Sequence, residues 1–307
     1  MGSPSGEQAA VLALTKASPR EWYRTAAVIY EAGSALSLLS GQSSPLLAEA
    51  HQRYASDLTQ RVGSDDLAEA QELIDRVTSH GVRLHTVLDP GYPSNLHMIY
   101  NRPPFIWVRG ELRPEDFRAI AVVGTRAATP EGLRRTTRLA RELAEAKVTV
   151  LSGLARGIDT AAHMAALDVA HGRTVAVVGH GLLVPIYPKE NRGLADRVQD
   201  RGAAVSQFCP DSPPRQMNFP MRNVVMSGMA MGTVVVEASA TSGAKMQARL
   251  ALEHGKRLFL LESLVSSQDW ARRYAERPGV SIVRNLDDVL DVLVALASPP
   301  EQLALSL

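Results

Sequence analysis

The sequence predicts an α/β protein with a doubly wound, mainly parallel sheet of the extended Rossmann-like type, preceded by a small helical domain. Three observations indicate this fold. Short apolar runs rich in Val, Ala and Leu recur along the chain, and each is followed by a stretch of helical length. The repeating unit of about 25–30 residues is typical of right-handed βαβ crossovers. Strands that are apolar throughout are buried on both faces of a sheet.

The first 81 residues are predicted to form a helical N-terminal module of the SAM-like type. The sequence Ser-Pro-Arg-Glu at 18–21 has the pattern of a capping box with Pro in the first turn. A helix is therefore expected to begin there and to end at Gly33. Two more helices are expected, over 45–62 and 65–79. The second is expected to end before Gly81, since a glycine is typical of a helix end.

Residues 82–117 are predicted to be a connecting segment packed on the core. It contains two candidate strands, 82–88 and 105–108, separated by prolines that interrupt regular structure. The Rossmann-like domain is expected over 118–296. The remaining residues, 297–307, are expected to form a tail with no winged-helix domain.

Within that domain, strands and helices are predicted to alternate. The predicted strands are 119–123, 148–151, 174–178, 203–206, 233–236, 257–261 and 280–283. The predicted helices lie at about 130–146, 157–170, 190–200, 215–229, 242–254 and 286–296. In open α/β sheets ligands bind at the carboxyl ends of the strands, so the loops that follow the strands are the places to search for function.

Composition excludes several classes of protein. With 33 basic and 32 acidic residues, the chain is neither a histone-like polycation nor an acidic disordered protein. The single cysteine, Cys209, excludes an internal disulfide and is typical of a reducing compartment. The sequence has no apolar run of about 18 residues, so we expect no membrane span and a cytoplasmic location.

The near-neutral total conceals an uneven distribution of charge. Residues 118–157 carry eight basic side chains and three acidic ones, a net charge of +5, and the rest of the chain carries −4. Four of these arginines, at 134, 135, 138 and 141, are spaced to share one helix face. That face is either a solvated surface or part of a path for a nucleic acid.

Four loops after predicted strands are rich in glycine and polar residues. Glycines allow a ligand to approach the backbone, and the following helix N-termini offer N–H groups to an anion. Together the loops predict a ligand that bears phosphate. They are Gly124-Thr125-Arg126, 152–159, Gly179-His180-Gly181 and 237–243.

The sequence gives no sign of a cofactor, a metal site or a catalytic residue. The GxGxxG fingerprint is absent after the first predicted Rossmann strand, which argues against binding of a dinucleotide. A Walker lysine motif is also absent, which argues against nucleotide hydrolysis by a P-loop. Glu237, at a strand end, is the best candidate for an acid if catalysis occurs. His163 and Asp159, near the start of one predicted helix, are either structural or directed toward the ligand.

Several motifs, in order, resemble the DNA-processing protein A (DprA/Smf) family over roughly residues 80–262. The most specific is Ser-Gly-Leu-Ala-Arg-Gly-Ile-Asp at 152–159. The others are Val-Val-Gly-Thr-Arg at 122–126, Gly-His-Gly at 179–181, Tyr187-Pro188, Phe-Pro-Met-Arg-Asn at 219–223, Glu237-Ala238 and Ser242-Gly243.

The resemblance implies a non-catalytic protein that binds single-stranded DNA, forms a homodimer and helps to load a RecA-type recombinase, or senses DNA. It implies that Arg126, Arg156 and Arg222 bind phosphate. The full set of expected nucleic-acid-binding residues is Gly124, Thr125, Arg126, Ser152, Gly153, Arg156, Gly157, His180, Arg222, Asn223, Ser242, Gly243 and Lys245.

The chain also departs from the family pattern. Val224 stands where the family usually has a second arginine, and Lys245 follows the Ser-Gly pair. Gln207 and Glu262-Ser263 also differ. These changes are typical of a divergent branch and leave two alternatives open. One is a component of a phage-defence or toxin–antitoxin system that binds a nucleotide or neutralises a cognate toxin. The other is a LOG-like nucleotide phosphoribohydrolase, although its PGGxGTxxE loop is absent.

Overall fold

A nine-stranded sheet forms the centre of the protein, as described by a computed structural model that covers residues 4–42 and 47–297. The strands are β1 (Val82–Thr86), β2 (Phe105–Gly110), β3 (Ala119–Val123), β4 (Thr149–Ser152), β5 (Thr174–Val177), β6 (Ala203–Ser206), β7 (Gly232–Val235), β8 (Arg257–Leu261) and β9 (Val280–Val283). Their order is β1-β2-β6-β5-β4-β3-β7-β8-β9. In this spatial order, each neighbouring pair of strands from β6 through β5, β4, β3, β7 and β8 to β9 is parallel. This mainly parallel sheet confirms the predicted fold class.

The segment 82–117 extends this sheet as well as connecting two regions. Strand β2 pairs antiparallel with β6, with Trp107 opposite Ser206, and β1 pairs antiparallel with β2. Ile106 and Trp107 are fully buried, so this edge of the sheet is covered on its faces by other elements.

Fourteen α-helices surround the sheet in the described ranges. They are α1 (Pro4–Ala17), α2 (Trp22–Ala32), α3 (Ala35–Leu39), α4 (Glu49–Thr59), α5 (Ser64–Ser79), α6 (Ser94–His97), α7 (Pro130–Glu145), α8 (Ile158–Leu167), α9 (Arg192–Arg201), α10 (Asn218–Met229), α11 (Gly243–Glu253), α12 (Glu262–Ser267), α13 (Asp269–Ala275) and α14 (Leu286–Ala297). Short 3-10 turns lie at Pro114–Phe117 and Lys189–Asn191.

The N-terminal helices differ most from the prediction. The expected capping box at 18–21 is wrong, because α2 begins at Trp22 and Glu21 caps it with no side-chain hydrogen bond. The buried Ser18 hydroxyl instead accepts a hydrogen bond from the hydroxyl of Tyr54, 2.9 Å away. The predicted end of the helix is confirmed: Gly33 has a φ of 72° and donates its N–H to Ile29.

Two predictions fall partly on residues outside the described ranges. The helix expected over 45–62 is observed from Glu49, and Pro45 lies outside them. All of the predicted tail except Ala297 also lies outside them. Helices α12 and α13 follow β8 where no element was predicted.

The chain order of the strands creates a crevice between β3 and β7. From β3 the chain proceeds through β4, β5 and β6 to one side, and β7, β8 and β9 extend the sheet to the other. The loops that leave β3 and β7 therefore diverge, which is the topological switch point where open α/β sheets bind ligands. In the described part of the chain, no helix is long and apolar enough to cross a membrane.

Candidate functional site

A cleft of about 620 Å³ lies at this switch point. The loop after β3 contributes Gly124, Thr125 and Arg126 to its lining. The remaining polar lining comes mainly from α10 and from the start of α11. These residues are Gln216, Arg222, Asn223, Thr241, Ser242, Gly243 and Gln247.

Arg222 is the buried cation of the cleft, with 6% of its surface exposed. Its Nη1 donates to the carbonyl of Val177 at 2.8 Å, but its Nε has no hydrogen-bond partner among the described residues. A Cβ on Gly153 would lie 1.5 Å from Nη1, so a glycine is needed there for the guanidinium to lie against the loop. Burial lowers the pKa of Arg222, and an arginine nevertheless keeps its charge at neutral pH.

Asp159 also lines the cleft, and its negative charge acts on Arg222. Its Oδ2 accepts the N–H groups of Gly153 (3.1 Å) and Ala155 (3.3 Å), so the carboxylate shapes the loop before α8. Burial raises the pKa of Asp159, and the charge of Arg222 opposes that effect. No salt bridge joins the two groups, and the attraction between their charges acts at a longer distance.

Gly157 brings the loops after β3 and β4 into contact. Its φ is 73°, and a Cβ there would lie 2.5 Å from the carbonyl oxygen of Thr125. The N–H of Ile158 donates to the same carbonyl at 3.3 Å. The glycines of the 152–159 motif therefore shape the loops, and this geometry brings Arg126 and Arg156 to one recess beside the cleft.

Arg126 and Arg156 differ in their partners. Arg126 is exposed and forms no ion pair with any described residue, and its guanidinium lies 5.4 Å from the ring centre of Phe219. Arg156 Nη2 lies 2.5 Å from Oε1 of Glu190. Both arginines line a small recess beside the cleft, together with Arg222. The three predicted phosphate-binding arginines thus come together from three separate loops or helices.

Two aromatic side chains at the recess were absent from the predicted set. The rings of Tyr187 and Phe219 are 6.1 Å apart, and Tyr187 is 44% exposed. Both residues belong to motifs that carry the family resemblance, so the signal was present in the sequence. Aromatic faces beside cations are suited to stacking with bases.

Ser242 and Gly243 place a helix N-terminus at the cleft. The Ser242 hydroxyl caps α11 by accepting the N–H of Lys245 at 3.3 Å. Asn223 Nδ2 donates to the carbonyl of Gly243 at 3.4 Å, which joins α10 to this turn. The first N–H groups of a helix have no partner within it, so they can bind an anion.

Three predicted binding residues have other places in the structure. Ser152 is fully buried and donates to the carbonyl of Val122 at 2.7 Å, which joins β4 to β3. His180 is also buried; its Nδ1 donates to the Gly181 carbonyl, its Nε2 accepts from Tyr187, and burial lowers its pKa. Lys245 is half-buried outside the cleft lining, and its contribution to the site is the backbone N–H.

Other titratable groups near the cleft also have structural partners. His163 is buried and bonds through Nδ1 to the Thr174 hydroxyl at 2.7 Å, and burial lowers its pKa to about 3. The Glu237 carboxylate accepts the Thr129 N–H at 2.9 Å and the Thr129 hydroxyl, at the start of α7. It therefore completes a helix N-terminus, where negative charge is favourable.

Three of the four arginines on the α7 face have an acidic partner on the same helix. Arg134 and Arg135 pair with Glu131, and Arg138 lies 3.8 Å from Glu142. These contacts favour the solvated interpretation of that face. Within residues 4–42 and 47–297, no group of three His, Cys, Asp or Glu side chains could hold a metal ion.

Comparisons with known proteins agree with this geometry. The sequence profile of "DNA recombination-mediator protein A" matches residues 83–293. The chain is 35% identical over 206 residues to DNA processing protein DprA of Streptococcus pneumoniae, and 38% identical over 204 residues to protein Smf of Escherichia coli. These matches cover 67% and 66% of this chain, and 72% and 54% of the two relatives.

Solved structures show the same relationship. The crystal structure of DprA from S. pneumoniae superposes with a TM-score of 0.70 at 28% identity, over 95% of this chain and 98% of that one. DNA processing protein A from Helicobacter pylori, described for its single-stranded DNA binding mode, gives a TM-score of 0.61 at 25% identity, over 69% of this chain and 96% of that one. The order of the motifs, the sheet and these matches together show that the chain belongs to the DNA recombination-mediator protein A (DprA/Smf) family.

Proposed function

We propose that the cleft binds single-stranded DNA and that the protein acts without catalysis in DNA processing. The observation that carries this proposal is Arg222, a buried arginine with an unpartnered Nε beside the unpaired Arg126. A buried polar group without a partner is costly, and a phosphate oxygen would satisfy it. Charge-assisted bonds from arginine to phosphate are among the stronger hydrogen bonds in proteins.

The surrounding groups suit a single strand in particular. The N-terminus of α11 supplies N–H groups to a second phosphate, and Phe219 and Tyr187 offer ring faces to unpaired bases. Contacts to phosphates and ring faces carry little sequence information. The expected binding is therefore tolerant of sequence, dependent on salt and weaker for a duplex, whose bases are already stacked.

The acids and imidazoles around the cleft support a binding role. Asp159 and Glu237 hold the starts of two helices, and His163 and His180 are held by hydrogen bonds inside the protein. Each candidate general acid or base is therefore engaged in the architecture of the loops.

Binding of fluorescent oligo-dT, followed by anisotropy, tests the proposal. If about three phosphates are bound, affinity should fall roughly 20-fold between 50 and 200 mM salt. Arg222→Gln and Arg126→Ala should each weaken binding by about 10-fold, because each removes a charge-assisted contact. Absence of binding at 50 mM salt contradicts the proposal, and release of a free base from nucleotides would indicate an enzyme instead.

We further propose that the protein acts in the cytoplasm, as a homodimer that delivers the strand to a RecA-type recombinase. The outer edge of β9 has no pairing strand in the described chain, and Ile282 on it is 49% exposed. Unpaired strand edges favour association, so a second copy is expected there. Sedimentation equilibrium of Ile282→Lys should show a loss of dimer; an unchanged dimer contradicts this arrangement.

A further inference from the structure

The ion pair between Arg156 and Glu190 joins two loops at the recess beside the cleft. Arg156 Nη2 and Glu190 Oε1 are 2.5 Å apart, and the side chains are 60% and 48% exposed. Arg126 and Arg222 line the same recess and have no carboxylate partner among the described residues. Of the three arginines, Arg156 is therefore the one that already forms an ion pair.

The position of Glu190 is fixed by its neighbour in the chain. Glu190 lies in the turn Lys189–Asn191, and Asn191 Nδ2 donates to the Leu154 carbonyl (2.8 Å) and the Thr160 hydroxyl (2.9 Å). These bonds attach the turn to the loop that carries Arg156. The turn therefore lies beside that loop, with the Glu190 carboxylate against the Arg156 guanidinium.

The energetic balance makes this pair exchangeable. An exposed ion pair contributes little to stability, so a phosphate can replace the carboxylate at small cost. While the pair is intact, the negative charge of Glu190 cancels the attraction of Arg156 for a phosphate. The same charge also repels a phosphate that enters the recess, at a separation within the Debye length.

From this geometry, and building on the proposed function, we propose that Glu190 competes with the nucleic-acid phosphate for Arg156. Glu190 thereby lowers the affinity of the recess and makes Arg156 a contact that forms only when DNA displaces the carboxylate.

A double-mutant cycle with oligo-dT tests the competition, with wild type, Glu190→Gln, Arg156→Ala and the double variant. Glu190→Gln should bind about threefold more tightly at low salt. Its log–log salt dependence should be steeper by about 0.7, because one more phosphate is neutralised. Arg156→Ala should cost more affinity in the Glu190→Gln protein than in wild type, since Arg156 is then uncompensated.

Glu253→Gln is the matched control. It also removes one half-exposed acid from an ion pair, with Arg249 at 3.1 Å, but it lies at the far end of α11 from the cleft. Its affinity should equal that of wild type, and thermal melts should show that all variants fold.

The outcomes separate the two proposals. If wild type binds and Glu190→Gln binds equally or more weakly, Glu190 positions Arg156 and the competition is refuted. An equal cost of Arg156→Ala in both backgrounds also refutes it, because the two charges then act independently. If wild type fails to bind oligo-dT at 50 mM salt, the proposed function itself fails, and the competition with it.

Discussion

Two arginines at opposite ends of the strands, the largely covered Arg173 and the buried Arg222, have contrasting surroundings. Arg173, at the start of β5, bonds to both carboxylate oxygens of Asp116, at 2.6 and 2.7 Å, and to the carbonyls of Glu111 and Arg201. Arg222, at the carboxyl end of the strands, has one bond to a carbonyl and an unpartnered Nε. An arginine whose donors are used stabilises the fold, and we propose that the arginine whose Nε is left open binds the ligand.

Arg173→Ala should have the largest effect on stability. It leaves the carboxylate of Asp116 buried without its cation, which typically costs about 3–5 kcal/mol. Urea unfolding of Arg173→Ala and Arg222→Gln would compare the two ends of the sheet directly. The contrast is refuted if Arg222→Gln is the more destabilised variant.

Gly153→Ala should reproduce the binding defect of an arginine variant without changing any charge. The added methyl group would meet Nη1 and displace the guanidinium of Arg222, so oligo-dT affinity should fall about 10-fold. Gly193→Ala is the control, because a Cβ there meets no atom within 4 Å. Equal affinities of the two variants would show that the position of Arg222 does not matter.

The histidine beneath the cleft should make stability depend on pH. Burial lowers the pKa of His163 to about 3 in the folded state, from 6.5 in an exposed histidine. The unfolded chain therefore binds a proton that the folded chain does not as pH falls from about 6.5 toward 3. Stability should decrease over that range by about 1.4 kcal/mol per pH unit from this group.

Burial also lowers the pKa of His254, to about 4. His254 should therefore make stability fall at a similar rate as pH decreases to about 4. The free energy of unfolding of His163→Asn, measured from pH 7 to 5, should show a smaller slope than wild type. An identical slope in the two proteins would mean that His163 takes up a proton as readily in the folded state as in the unfolded chain.

The smallest effect is expected at the paired arginines of α7. Arg134→Ala should change oligo-dT affinity by less than about twofold, because its charge is already compensated by Glu131. Arg126→Ala, measured beside it, provides the unpaired comparison. A loss as large as that of Arg126→Ala would place the α7 face on the DNA path.

Much of the sheet was predictable because strands buried on both faces leave an unbroken apolar run in the sequence. The bounds of β3, β6 and β8 agree with the predicted ones for this reason. The start of α2 was not predictable from its local pattern. Ser18 bonds to Tyr54, a residue 36 positions later, and a tertiary contact of that kind has no local signature.

The sheet, the loops that follow its strands, and Arg126 and Arg156 could be predicted from the sequence, because they depend on local patterns and on the parallel topology, whereas Arg222 was predicted only from the family resemblance. Which polar groups remain available depends on the tertiary structure. It buried Ser152 and His180 in internal hydrogen bonds, paired Arg156 with Glu190, and left Arg126 free. Residues distant in the chain determine which groups are occupied. A polar or charged group is available to a ligand only where folding brings no hydrogen-bond partner or opposite charge to it.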